Sequence, residues 1–242
     1  MYVHPLAEEM NKSRRMAALQ ARAMADAGWS VLQVDLFGCG DSDGDFSEAD
    51  WQQWLADISD AAAWLRLQTG HMPALWGLRA GCLLACEVAG GMDPAPDLLL
   101  WQPAISGRQT LQQFLRLKVA SQLFKDSTPD RMSTKQLHDV LSRGDSVEVA
   151  GYALSSRLAM GLDASELKHP VVPARAAWLE VRSDAPAEIP PAASARIRAW
   201  RAAGHAVNAR AVTGPAFWQT QEIAECPELI DATLALLADW RT

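Results

Sequence analysis

The sequence has no apolar run of about 18 residues, the length that a membrane-spanning helix needs. It also has no basic surplus, because its 22 Lys and Arg residues are outnumbered by 29 Asp and Glu residues. These absences argue against a transmembrane protein and against a nucleic-acid-binding protein, which needs clustered cations. Residues 1–9 contain no basic segment followed by an apolar one. We therefore expect no signal peptide and a cytoplasmic location.

Cysteines are few, and their spacing fits no common metal site. Cys82 and Cys86 lie four residues apart in an apolar stretch, while Cys39 and Cys226 stand alone. No second pair follows at the spacing of a zinc site. We therefore interpret the four as structural thiols in a reducing compartment, and we expect neither a metal nor a cofactor.

Apolar patterns of strand and helix length alternate along the chain, which indicates an α/β fold with a parallel sheet of about six strands flanked by helices. The predicted strands are Tyr2–His4, Ser30–Val34, Ala74–Trp76, Asp97–Trp101, Ala176–Val181 and Ala206–Val212. The predicted helices are Asn11–Ala27, Trp51–Leu67, a stretch that ends near Ala89, Thr110–Leu123, Thr134–Leu141, Ala192–Ala203 and Pro227–Trp240.

The alternation is interrupted between Gln102 and Val172, where two amphipathic helices replace the strands. We interpret residues 104–170 as a helical lid inserted into a single domain that spans residues 1–242. Such an insertion would lie over the carboxyl ends of the strands, where open parallel sheets bind their ligands.

The stretch Trp76-Gly77-Leu78-Arg79-Ala80-Gly81 has the frame Gly-x-Ser-x-Gly, but arginine replaces the serine. That frame forms a sharp turn from strand to helix, which lifts one side chain to the top of a sheet. An arginine keeps its proton at every useful pH and cannot act as a nucleophile. The pattern therefore predicts the turn but not serine chemistry.

Two further segments carry a family resemblance. The loop Asp35-Leu36-Phe37-Gly38-Cys39-Gly40-Asp41-Ser42 is similar to the D-x-x-G-x-G-x-S loop of α/β-hydrolases, and His4-Pro5-Leu6 resembles their His-Gly-x turn. The resemblance implies an α/β-hydrolase fold whose N-terminal antiparallel strand pair is missing. It also implies an oxyanion-type or anion-binding role for Leu6 and Ala80, beside a cleft that contains His4, Gln102 and Ser106.

A closer resemblance spans nearly the whole chain. The segments 4–16, 77–84, 101–118, 151–152 and 214–218 resemble the exosortase A system-associated hydrolase of the second ortholog type. This resemblance implies a bacterial hydrolase of ester or acyl type, encoded beside exopolysaccharide and protein-sorting genes.

The other positions of a serine triad are only partly filled. Asp184 follows the strand that should precede the acid, but the base position after the last strand reads Thr213-Gly214-Pro215-Ala216-Phe217-Trp218, without histidine. His205 lies at the wrong end of that strand and is interpreted as a turn residue. Cys82 and Ser106 are the candidates for a substitute nucleophile. We favour the interpretation of Cys82 as a thiol packed in the core and of Ser106 as a helix-capping or turn serine.

Arg79 then needs a counter-charge. Glu8, Glu9 and Asp184 are the candidates, and a carboxylate left over beside the pair could serve in acid–base chemistry. The alternative is an anionic ligand at the start of the helix. The sequence leaves two functions open. The first is a hydrolase with a non-standard site. The second is a non-catalytic protein that binds either a partner protein or a small-molecule or saccharide ligand, which can be anionic. An exposed sheet edge adds a homodimer as a further expectation.

Overall fold

The structure is a computed structural model that describes residues 1–122 and 131–240. The described chain divides into two compact units. The first contains Met1–Val34, Asp60–Ile105 and the described residues from Leu167 onward; the second contains Asp35–Ser59 and the described residues between Ser106 and Glu166. A single domain with a lid at 104–170 stays a prediction.

A five-stranded, all-parallel sheet forms the centre of the first unit, in the order β1-β2-β3-β6-β7. Its strands are β1 (Tyr2–Val3), β2 (Leu75–Leu78), β3 (Leu98–Trp101), β6 (Arg175–Arg182) and β7 (Ala206–Thr213). Every position of β2 and β3 is buried, which explains why Leu-Trp-Gly-Leu and Leu-Leu-Leu-Trp are apolar without alternation.

The first unit contains the helices α1 (Glu8–Asp26), α3 (Ala80–Gly90), α7 (Pro191–Ala202) and α8 (Pro227–Ala238), while α2 (Trp51–Thr69) begins in the second unit and ends in the first. Side chains of α1 and α8 share one buried cluster with β2 and β3. Within it the rings of Trp76 and Trp101 meet edge to face, with centroids 4.7 Å apart. Such a pair contributes about 1 kcal/mol beyond its buried area.

The second unit is built from α4 (Gly107–Gln122), α5 (Thr134–Ser142), α6 (Ser156–Ala164), the antiparallel pair β4 (Val147–Val149) and β5 (Tyr152–Leu154), and a 3-10 turn at Phe46–Glu48. α4 packs closely against α6 because Gly107 has no side chain. A Cβ there would lie 1.8 Å from the carbonyl oxygen of Leu162.

One strand prediction was wrong. Ser30–Val34 forms no strand; the described residues give it one isolated bridge, between Gln33 and Tyr2. Its apolar residues Val31 and Val34 are only half-buried. The sheet therefore has five strands rather than six, because a single bridge does not make a strand. The other predicted strands and helices are present with shifted ends, and Leu123 of the predicted fourth helix lies outside the described residues.

Candidate functional site

The turn between β2 and α3 presents Arg79. The residue has φ 55 and ψ −118, a backbone conformation that residues other than glycine rarely adopt. Its N–H donates to the carbonyl of Trp101 at 3.1 Å, and its own carbonyl accepts from Ala104 at 3.2 Å. These bonds join the turn to the end of β3, so the carboxyl ends of two strands meet at Arg79.

The two glycines of the Gly-x-Arg-x-Gly frame are required by close contacts on either side of the turn. A Cβ on Gly81 would lie 2.3 Å from the carbonyl oxygen of Val3, at the end of β1. A Cβ on Gly77 would lie 2.6 Å from the Cα of Cys82. The frame that the sequence shows is thus a packing requirement between β1, β2 and α3.

Glu9 and Trp218, both in the first unit, contact the guanidinium of Arg79. Nε donates to Oε1 of Glu9 at 3.2 Å, and both side chains are 14% exposed. Cζ lies 5.7 Å from the ring centre of Trp218, within the range of a cation–π interaction. The expected ion pair with one of the two glutamates is present, and Asp184, the other candidate, is not the partner that the structure shows.

Glu8 and Glu9 open α1 directly after the turn that the resemblance pointed to. His4 is buried, and its Nδ1 lies 2.8 Å from the carbonyl of Pro5. Leu6 is also buried, and Ala7 has φ 50 and ψ −123. Ala80, the first residue of α3, is buried beside Arg79. An anion-binding role for Leu6 or Ala80 stays a prediction.

Burial dominates the electrostatics of the carboxyl groups. It raises the pKa of Glu9, and the charge and hydrogen bond of Arg79 oppose that rise. Burial also raises the pKa of Glu8, whose charge in turn raises the pKa of Glu9. Both carboxyls therefore hold a proton more readily than an exposed glutamate does.

Sequence reasoning missed a third carboxyl, Glu180 on β6. Only 4% of this residue is exposed, and its Oε1 accepts a hydrogen bond from Nε1 of Trp178 at 2.7 Å. Burial raises its pKa, while Trp178 and the charge of Arg79 oppose the rise. A single charged residue within the apolar run Ala176–Val181 was the available signal.

Gln102, directly after β3, has a structural role. It has φ 42, its N–H donates to the carbonyl of Leu179 at 2.7 Å, and its side-chain Oε1 accepts from the N–H of Val181 at 2.7 Å. The side chain therefore joins β3 to β6.

Asp184 is an exposed residue that pairs with Arg182. The closest contact joins Arg182 Nε and Asp184 Oδ1 at 3.2 Å. The hydrogen bond from Arg182 lowers the pKa of Asp184. Its predicted role at the acid position of a triad has no support from these contacts.

The two candidates for a substitute nucleophile, Cys82 and Ser106, lie where each has a part in the fold. Cys82 is fully buried, with Sγ 3.6 Å from the carbonyl of Trp101, and burial raises the pKa of the thiol well above its usual value. The effect of burial therefore outweighs the positive N-terminal end of α3, which would lower the pKa of the thiol. Ser106, in the second unit, directly precedes α4, and its carbonyl accepts hydrogen bonds from the N–H and Oγ1 of Thr110.

The base position also has a packed environment. Phe217 and Trp218 are buried, and the centroids of their rings lie 5.0 Å apart. His205 lies between α7 and β7, where its Nδ1 accepts from the N–H of Ala174 at 3.2 Å. It is buried in this turn, as the sequence indicated, at the opposite end of β7 from Trp218.

The described residues contain no group of three or more side chains placed to hold a metal ion. The four cysteines are buried and free, and their role as structural thiols stays a prediction. Among the described helices, none is both long enough and apolar enough to cross a membrane.

Neither a protein-family model nor a curated protein gives a match to the sequence. Solved structures do match. Est1E of Butyrivibrio proteoclasticus, with bound ferulic acid, is 14% identical with a TM-score of 0.63, over 94% of this chain and 84% of that one. The α/β-hydrolase GrgF of a Penicillium species is 15% identical with a TM-score of 0.57, over 98% and 89%. The serine hydrolase XC6422 of Xanthomonas campestris, described as lacking a lid, is 14% identical with a TM-score of 0.53, over 99% and 80%. The chain has the α/β-hydrolase fold.

Proposed function

We propose that this protein uses the α/β-hydrolase fold to bind a ligand or partner and lacks serine-triad hydrolysis. The observation that carries the proposal is the guanidinium of Arg79, held by Glu9 and Trp218 on the turn between β2 and α3. In a serine hydrolase that turn presents the nucleophile. An arginine there offers charge and hydrogen bonds but no nucleophilic atom.

The remaining triad positions support the same proposal. The segment after β7 contains the buried rings of Phe217 and Trp218 in place of a histidine, and Asp184 is engaged by Arg182. Without a base, a serine or cysteine elsewhere would stay protonated and unreactive. Cys82, whose pKa burial raises, fits that description.

We place the protein with the exosortase A system-associated hydrolases of the second ortholog type, on the sequence resemblance alone. The biological setting would then be a bacterial exopolysaccharide and protein-sorting system. A small-molecule or saccharide ligand suits that setting. An anionic ligand held by Arg79 is the form that the sequence first indicated, and Arg79→Ser should then weaken the binding of inorganic phosphate.

A fluorophosphonate probe, together with a panel of short-chain nitrophenyl esters, tests the loss of serine chemistry. We expect neither labelling nor turnover by the full chain, while a serine esterase assayed in parallel gives both. Labelling or turnover that Ser106→Ala or Cys82→Ala abolishes would overturn the proposal, because it would identify a working nucleophile.

A second function is favoured by one observation: burial raises the pKa of both Glu8 and Glu9. A carboxyl whose pKa is raised donates its proton closer to neutral pH than an ordinary glutamate does, which suits a general acid. The protein would then hydrolyse its substrate by acid–base catalysis without a covalent intermediate. Ester turnover that resists the fluorophosphonate probe and disappears in Glu8→Gln or Glu9→Gln would establish this alternative.

A further inference from the structure

Two buried polar atoms of residues that contact Arg79, Oε2 of Glu9 and Nε1 of Trp218, have no hydrogen-bond partner within the described part of the chain, and neither has Oε2 of the adjacent Glu8. Glu9 and Trp218 contact the guanidinium directly, and Glu8 precedes Glu9 in α1. Trp218 is only 3% exposed. A buried polar atom without a partner costs about 1–3 kcal/mol, so a cluster of them indicates a group that the protein is built to receive.

The chemistry of the three atoms defines that group. A carboxylate oxygen accepts hydrogen bonds, whereas an indole N–H only donates. A hydroxyl group serves both, because it donates one hydrogen bond and accepts others. Two acceptors on adjacent residues and one donor, beside a cation that Glu9 already pairs, therefore fit neighbouring hydroxyl groups better than they fit an ion.

The charges of the site argue in the same direction. Glu9 already neutralises Arg79, and Glu180 lies close enough for Arg79 to lower its pKa. Adding Glu8, three carboxyls accompany one guanidinium, so the cluster has no net positive charge once Glu9 is ionised. A phosphate or carboxylate entering it would meet carboxylates and would have to displace Glu9 from Arg79.

We propose that the cluster of Glu8, Glu9, Arg79 and Trp218 binds an uncharged, hydroxyl-rich ligand of the saccharide class, with Glu8 and Glu9 accepting from its hydroxyl groups and Trp218 donating to one. The inference rests on the proposed function, since it takes the site around Arg79 to be a binding site. It differs from the first expectation in the ligand, which is neutral rather than anionic.

The test uses the full chain labelled with ¹⁵N at tryptophan and titrated with the methyl glycosides of glucose, galactose and mannose, with glucuronate, and with inorganic phosphate. Trp218→Phe assigns the indole resonance of Trp218. We expect at least one methyl glycoside to shift that resonance at millimolar concentration and to bind more tightly than glucuronate or phosphate does. Glu8→Gln should weaken the binding about tenfold, because it replaces a charged acceptor.

Trp64→Phe is the matched control, because Trp64 is half exposed on α2 and should leave the affinity unchanged. The inference is overturned if no methyl glycoside shifts the resonance, if the shift survives Glu8→Gln at equal affinity, or if phosphate or glucuronate binds more tightly in an Arg79-dependent manner. Fluorophosphonate labelling, measured separately, would overturn the proposed function itself, so the two failures are distinguishable.

Discussion

The turns that follow β1 and β2 have nearly the same backbone but carry different side chains. Ala7 has φ 50 and ψ −123, Arg79 has φ 55 and ψ −118, and each residue precedes a helix without capping it through a side chain. Ala7 presents a buried methyl group, whereas Arg79 presents a guanidinium tied to Glu9. The same strained backbone therefore occurs with a methyl group and with a guanidinium, and the side chain alone distinguishes the candidate site.

The largest expected effect concerns the contact between the two turns. In Gly81→Ala the new methyl group meets the carbonyl oxygens of Val3 and His4, at 2.3 and 2.7 Å. Because backbone cannot move aside easily, we expect a loss of about 3 kcal/mol in the free energy of unfolding. Chemical denaturation measures it.

Gly90→Ala, in the same helix, is the control, since no atom outside its chain neighbours and the backbone of its own helix lies within 4 Å of its Cβ position. That substitution should be neutral or stabilising by up to about 1 kcal/mol. Equal effects of the two alanines would show that the turns are not in contact as described.

The second effect separates Arg79 from an ordinary surface ion pair. Glu9→Gln leaves a largely buried guanidinium without its carboxylate, so we expect a loss of about 2 kcal/mol in unfolding free energy. Glu225→Gln breaks the more exposed pair with Arg15 and should cost less than about 0.5 kcal/mol. Similar losses in both variants would remove the distinction between the two pairs.

The third effect compares glycine at the two strained positions. Ala7→Gly relieves a positive φ, and after the entropy cost of glycine we expect a gain of about 1 kcal/mol. Arg79→Gly relieves the same strain but loses the ion pair with Glu9 and the contact with Trp218, so it should be destabilising. Changes in melting temperature of opposite sign support the comparison. A higher melting temperature in both variants would mean that the contacts of Arg79 contribute little to stability.

The smallest effect is a pH dependence from Glu180. Burial raises its pKa above the ordinary 4.5, so the folded state binds this proton more tightly than the unfolded state does. Its contribution to stability is complete below pH 4.5 and is lost as the pH rises through the folded-state pKa. Glu180→Gln stays neutral and can still accept from Trp178, so its unfolding free energy should fall less between pH 4.5 and pH 8. An identical pH profile for both proteins would contradict this.

The sequence predicted the elements whose patterns are local. The run Leu98–Trp101 is apolar at each position because β3 is buried on both faces, and Gly77 and Gly81 marked the turn because contacts across it exclude a Cβ. The segment Ser30–Val34 is also largely apolar, but a strand needs several paired neighbours, and here the described chain gives it one bridge, to Tyr2.

The partners of Arg79 depended on geometry that no local pattern contains. Glu8 and Glu9 are adjacent in sequence but differ by about 100° in direction around α1, so only the packed helix determines which one reaches Nε. Glu180 is far from Arg79 in sequence and comes close only because β6 pairs with β3. The order of strands in the sheet therefore had to be known before the third carboxyl could be found.

A double-mutant cycle between Arg79 and Glu9 tests most directly whether the guanidinium occupies the turn as a paired, structural charge. The unfolding free energies of Arg79→Met, Glu9→Gln and the double variant are measured under one set of conditions. We predict a coupling energy of about 2 kcal/mol, with the double variant more stable than the sum of the two single losses implies. Additive losses, within about 0.3 kcal/mol, would contradict the account.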